Sequence, residues 1–112
     1  MTSDDGPVPV VHVSGDVDVT AAPAMREAID ATTAAGHRHL VLDLTEVTFI
    51  DSTGLGVVVG RLKSLRRDGG SLVVAAAHDR VLRVLAITGL DTVLDIAPDV
   101  PGALRCLAGA GR

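Results

Sequence analysis

Aromatic rings, sulfur and surplus positive charge are what this chain has least of. Its 112 residues include one Phe, no Trp and no Tyr. Single-strand nucleic-acid binders stack bases on aromatic side chains, and Phe49 is the lone platform available. One cysteine, Cys106, excludes an internal disulfide and a Cys-rich zinc site. Ten Lys and Arg face fourteen Asp and Glu, giving a formal charge of −4. Duplex DNA binders draw their affinity from the opposite balance. The one basic cluster, Arg61, Lys63, Arg66 and Arg67, reads as the wetted face of a helix. No apolar run approaches the ~20 residues that span a bilayer. The start, Met1-Thr2-Ser3-Asp4-Asp5, is polar and acidic, unlike a secretory signal. A cytoplasmic protein with neither nucleic acid nor membrane as partner is expected.

What is abundant is aliphatic. Hydrophobic residues form 47% of the chain, and nearly all are Ala, Val, Leu and Ile. A core so poor in rings suits Val-rich strands covered by Ala-rich helices. The length fits one domain. The β-branched run from Val8 to Val13 reads as a strand, and its prolines, Pro7 and Pro9, suit an edge or a strand entry. Thr20 is a candidate N-cap for a helix over Ala24 to Ala35, with Pro23 in its first turn and Gly36 at its end. The nearly continuous apolar run Leu40 to Leu44 predicts a strand buried on both faces. Thr45 to Ile50 is then a crossing segment.

A second helix is expected from Thr53 to Arg67, stopping at Asp68-Gly69-Gly70. A strand over Ser71 to Ala76 precedes a third helix over Asp79 to Thr88, with Val81, Leu82, Val84 and Leu85 inward. A short strand, Val93 to Ile96, and a last helix, Asp99 to Leu107, complete the pattern. Strands alternating with helices at this spacing give an α/β domain. Residues 1–7 are expected to be a flexible tail, 8–108 the folded domain and 109–112 a flexible end.

Residues 47 to 60 are the unusual segment. An apolar approach delivers Asp51-Ser52 to a helix start, and Gly54, Gly56 and Gly60 follow within that helix. Each Gly inside a helix costs roughly 0.5–1 kcal/mol relative to Ala, so three of them need a reason. Close packing is one; an outer face kept bare for another protein's backbone is the other. Ser52 is at once a good N-cap and an accessible hydroxyl. A phosphate placed there would meet free N–H groups and the positive end of the helix dipole, so the fold could bear it.

Taken together, Gly15-Asp16-Val17-Asp18, Leu40-Val41-Leu42-Asp43-Leu44, Phe49-Ile50-Asp51-Ser52-Thr53-Gly54-Leu55-Gly56 and Thr88-Gly89-Leu90 resemble the successive signatures of the STAS domain. The likeness is greatest to its bacterial anti-sigma factor antagonist branch and covers about residues 8 to 108. The resemblance implies a STAS-like α/β fold: a four- to five-stranded mixed central sheet with about four helices, mostly on one side. It implies that Ser52 is phosphorylated by a partner that is both anti-sigma factor and serine protein kinase, and reset by a serine phosphatase. The unphosphorylated form binds the partner and frees a sigma factor. By position, Asp18 and Asp51 flank the phosphoacceptor. Thr53, Gly54, Leu55 and Gly56 form the face the kinase reads, with Gly89 and Leu90 nearby. No cofactor is implied. Two departures stand out: residues 1–6 are short and polar for the family's first edge strand, and Thr53 stands where many members have a second serine.

Other chemistries fit less well. Gly54-x-Gly56-x-x-x-Gly60 imitates a dinucleotide loop, but the chain is short for that fold and the loop follows the wrong strand. Asp43 at a strand end imitates an aspartyl phosphoacceptor, yet the only lysine, Lys63, is in the wrong element. As a strand-end residue, Asp43 is expected to be satisfied by nearby backbone. Ser52 lacks a Gly-x-Ser-x-Gly elbow and an evident histidine base. His37 and His39 read as solvated, and His78 marks the turn into the third helix. The serious alternative keeps the fold: a STAS scaffold subunit of a stress-signalling assembly, phosphorylated by a kinase that holds no sigma factor.

Overall fold

The computed structural model describes residues 2–5 and 8–110. Five strands lie side by side in chain order: β1 (Thr2–Asp5), β2 (Val8–Val17), β3 (His39–Ile50), β4 (Ser71–Ala75) and β5 (Asp95–Ala97). Helices α1 (Ala22–Ala34), α2 (Ser52–Arg67), α3 (Asp79–Ile87) and α4 (Val100–Ala110) connect or follow them, with a single 3-10 turn at Leu90–Thr92. Strands β2 to β5 are parallel throughout, so the sheet is mixed only through its β1 edge. An antiparallel pairing enters only at the edge, where β1 lies on Val8–Val11.

Residues Thr2–Asp5 are therefore paired strand, not the flexible tail expected of 1–7. An edge strand needs backbone donors and acceptors more than apolar side chains, so a hydropathy reading passes over it. Met1, Gly6 and Pro7 lie outside the described residues. At the other end, α4 runs on through Gly109 to Ala110, past the expected stop at Leu107; Gly111 and Arg112 lie outside the described residues.

The sheet divides the core in two. On one face α1, α2 and α3 pack Met25, Ile29, Leu62 and Leu85 against Val11, Leu40, Leu42, Leu72 and Val74. On the other, α4 alone sets Ala103 and Leu107 on Val10, Val41, Val73 and Ala75. Alternate residues of the Leu40–Leu44 run go to opposite faces, which is why it is apolar everywhere but at Asp43. Within α3 only Val81 and Leu85 are fully inward; Leu82 is 36% exposed, because apolar residues at 81, 82, 84 and 85 spread wider than the stripe the helix turns to the sheet.

Strand β3 is longer than the apolar run suggested. It continues through Thr45 and Glu46 to Ile50, paired with β2 as far as Val17, with register shifts around Ser14 and Gly15. The polar residues of this extension sit on open sheet surface, so hydropathy alone placed the strand's end too early. Asp43 is consequently mid-strand. It accepts from the Thr45 N–H at 3.0 Å and the Thr45 hydroxyl at 2.7 Å, and its other oxygen lies 2.8 Å from Nδ1 of His12. The expected backbone partner is present, but two side chains join it.

Helix α2 ends as its glycines require. Gly69 takes a left-handed φ of 79°, its N–H donates to the Arg66 carbonyl, and the Gly70 N–H donates to Leu65. A Cβ on Gly70 would run into the Arg38 carbonyl, so the turn admits no larger residue.

Burial by itself would raise the Asp43 carboxyl, but the Thr45 hydroxyl and N–H and the His12 ring outweigh it and hold it below its ordinary value. A carboxylate depressed in the folded state stabilises above its unfolded pKa and loses that contribution as pH falls through the folded one. Asp43→Asn should therefore lower the urea midpoint at pH 7, with a deficit that shrinks once the pH drops below about 4.

Candidate functional site

The extended pairing of β2 with β3 has a local result: the two strands finish together. Val17 lies opposite Ile50, and the Asp51 N–H donates to the Val17 carbonyl at 3.1 Å. The next residue of each chain segment is an acid, so Asp18 and Asp51 arrive at one corner. Asp18 turns the chain into α1, its Oδ1 accepting from the N–H groups of Thr20 and Ala21 at 3.0 Å each. Thr20 is thus not the N-cap expected. The helix starts at Ala22, the cap position is Ala21, and the Asp18 carboxylate serves the turn instead.

Asp51 likewise displaces Ser52 as the cap of α2. Its backbone is extended (φ −101°, ψ −176°), and its Oδ1 accepts from the Gly54 N–H at 3.0 Å. Ser52 is the first helical residue, exposed, and its hydroxyl makes no hydrogen bond to another described residue. The N–H groups of a helix's first turn have no intrahelical acceptor, and Ser52 and Thr53 hold two of them. The hydroxyl thus stands free beside two unused donors, between two carboxylates. Structure and reactivity are divided between neighbours: Asp51 holds the helix, and Ser52 is left available.

The three glycines fall into two kinds. A Cβ on Gly54 would lie 2.7 Å from Cγ1 of Val17, 2.8 Å from Cγ1 of Ile50 and 3.0 Å from the Val17 carbonyl oxygen. Gly54 exists so that α2 can press onto the ends of β2 and β3. Gly56 and Gly60 have nothing within 4 Å of such a Cβ. They leave open a depression of about 260 Å³ bounded by Arg26, Thr53, Val57 and Arg61. The two arginines share Asp30, Arg61 at 2.8 Å and Arg26 at 3.8 Å.

The expected face is therefore assembled in part. Ser52, Thr53 and Gly56 are exposed, with Asp18 and Asp51 beside them. Gly54 and Leu55 turn inward, and Leu55, 8% exposed, belongs to the core. Gly89 and Leu90 are at the wrong end. Helix α2 is about 24 Å long at ~1.5 Å per residue, and Arg66, near its far end, donates to the Val93 carbonyl at 3.0 Å. The Gly89–Val93 turn thus sits by the C-terminal end of α2, away from Ser52. A linear reading cannot see this, because it depends on which way α2 and α3 run across the sheet.

The structure adds residues not expected at the site. Phe49, three positions before Ser52, is 41% exposed, so the single aromatic ring lies at the surface. Arg80 and Arg83 of α3 approach it, and their i, i+3 spacing was the available signal. Of the histidines, His78 caps α3, accepting from the Arg80 N–H at 3.2 Å, and His39 bonds Ser71 at 2.7 Å rather than being merely solvated. Among the described residues no cluster of three potential metal ligands occurs, and no helix is long and apolar enough to cross a membrane.

Known proteins provide the comparison. The STAS domain pattern matches residues 1–103. The anti-sigma-B factor antagonist of Listeria monocytogenes is 42% identical over 86 residues, 77% of this chain and 75% of that protein. That of Bacillus subtilis is 37% identical over 95 residues, 85% of this chain and 86% of its own. The crystal structure of an anti-sigma factor antagonist from Mycobacterium paratuberculosis superposes with a TM-score of 0.89 at 32% identity, covering 96% of this chain and 92% of that one.

Two pairs of substitutions separate the roles at the helix mouth. Asp51→Ala should cost ~1 kcal/mol in chemical denaturation, whereas Ser52→Ala should stay within about 0.5 kcal/mol of the parent. Gly54→Ala should destabilise by about 1–3 kcal/mol through overpacking, while Gly56→Ala should stabilise by roughly 0.5–1 kcal/mol.

Proposed function

The chain belongs to the STAS domain family, and from that premise we propose that it is an anti-sigma factor antagonist whose binding is switched off by phosphorylation of Ser52. The exposed Ser52 hydroxyl, standing one residue inside a helix that Asp51 already caps, is the observation that carries the reading. The names and coverage of the relatives support the same reading. The chain acts by binding and by being modified, in the cytoplasm, and not as a catalyst.

The partner is an anti-sigma factor that is also a serine protein kinase. It presents ATP to Ser52; the Oγ–P bond forms, the γ-phosphoryl bond to ADP breaks, and the hydroxyl proton leaves to a base on the kinase. A serine phosphatase reverses the change. Ser52, Thr53 and Gly56 form the centre of the docking face, with Asp18 and Asp51 at its rim. The bare Gly56 backbone allows close approach of the partner. Phosphorylation adds about −1.5 to −2 charges at neutral pH. The unused N–H groups and the helix dipole tolerate this charge within the chain. A partner seated against the Asp18–Asp51 corner does not, because three anionic groups then crowd a surface from which water is excluded. Asymmetry between fold and complex is the essence of the switch.

Incubation with the candidate kinases of the host and ATP, followed by peptide mapping, should place one phosphate on Ser52. Ser52→Ala should abolish labelling while retaining partner binding, and Ser52→Asp should weaken binding about tenfold or more. A phosphate mapped outside Ser52 and Thr53 would sink the assignment. A kinase that modifies Ser52 but binds no sigma factor would convert the reading to a scaffold subunit. Gly56→Arg should block the partner with little change in melting temperature, since the position opens onto solvent.

A further inference from the structure

A second surface lies next to the phosphoacceptor and differs from it in chemistry. Phe49 and Ile50 at the end of β3 and Arg80, Arg83 and Val84 of α3 line an almost wholly apolar notch of about 240 Å³. The Phe49 ring is 41% exposed in a chain that has no other aromatic residue. Burying it inside would have been the ordinary outcome for the largest apolar side chain available. Neither guanidinium forms an ion pair or side-chain hydrogen bond with another described residue, although Asp79 stands one turn from Arg83. The contrast with Arg26 and Arg61 is direct, because those two are held by Asp30.

We infer that this notch is a second anchor for the protein that docks on Ser52, receiving from it an acidic segment in which a carboxylate flanks an aliphatic side chain. The inference rests on the antagonist reading and specifies the chemistry of the partner's contact. Charge complementarity selects the occupant: two uncompensated arginines beside an apolar floor, on a molecule whose net charge is −4, match a carboxylate next to an aliphatic group. The pairing of an aromatic side chain with arginines is also the composition in which interface binding energy concentrates. Reach is assured by the chain itself. Phe49 lies three positions before Ser52, at most about 10 Å of extended backbone, so the notch is within reach of a partner covering the hydroxyl. The two anchors work differently: Ser52 reports phosphorylation, and the notch supplies affinity and selects the partner by charge.

The test uses the full chain and the anti-sigma factor kinase that phosphorylates Ser52, with dissociation constants measured by calorimetry at two salt concentrations. Arg80→Glu/Arg83→Glu should weaken binding by about tenfold or more and flatten its salt dependence. Phe49→Ala should weaken it about tenfold without flattening the salt dependence. Lys63→Glu/Arg67→Glu makes the same net charge change elsewhere on the surface and should alter binding less than about twofold. Melting curves accompany each variant, and Arg80→Gln/Arg83→Gln replaces the reversal if the latter is unstable. Restoration of binding to the reversed chain by a carboxylate-to-arginine change in the kinase would establish the contact.

Equal losses from both charge reversals would show that only net charge matters and overturn the notch. Unchanged binding in the Arg80/Arg83 and Phe49 variants would overturn it too, while leaving the antagonist reading intact. A shift from dimer to monomer on reversal, with kinase affinity unchanged, would assign the notch to a second copy of the chain and refute the proposal. If the parent chain neither binds nor accepts phosphate from any host kinase, the antagonist reading falls, and this inference with it.

Discussion

One close approach governs the rest of the structure: the first turn of α2 rests directly on the ends of β2 and β3. It is held by the Asp51 N–H on the Val17 carbonyl and by a glycine at 54 that leaves no side chain between helix and strands. From this contact follow the convergence of Asp18 and Asp51, the exposure of Ser52, and the inward turn of Leu55. A helix one methyl group farther away would part these elements. The steric demand therefore falls on residue 54, and nothing within the fold requires the two later glycines.

Much of this was legible in order and little of it in depth. The alternation of Val-rich runs with helical segments gave every core strand and all four helices, because a parallel sheet buried on both faces leaves a nearly continuous apolar signature at Leu40–Leu44 and Leu72–Ala75. Ends were less readable. β1 is held by backbone pairing at the sheet edge, and the second half of β3 interrupts buried Val47 and Ile50 with exposed residues, so neither shows a continuous apolar run. Asp51 took the capping position assigned to Ser52, and the one assigned to Thr20 fell to Ala21, whose N–H is held by the Asp18 carboxylate, since the choice of cap depends on a backbone angle that composition does not report.

The candidate site divides along the same line. The exposure of Ser52, Thr53 and Gly56 was readable because they lie together at the start of one helix. Gly89 and Leu90 were misplaced, and the grouping of Phe49 with Arg80 and Arg83 was not foreseen, because such neighbourhoods are fixed by the direction in which helices cross the sheet. Family signatures mark positions along a chain and say nothing of which of those positions meet. Some are there for the fold, as Gly54 and Leu55 are, and some for its surface.

The division of labour between Asp51 and Ser52 carries a last consequence. Because the carboxylate secures the helix and the hydroxyl secures nothing, residue 52 is thermodynamically idle. Its side chain can be exchanged or covalently marked at nearly constant folding free energy. On the proposed reading, regulatory setting and structural robustness are then separate coordinates, so the ease of marking the serine could change without passing through unstable intermediates.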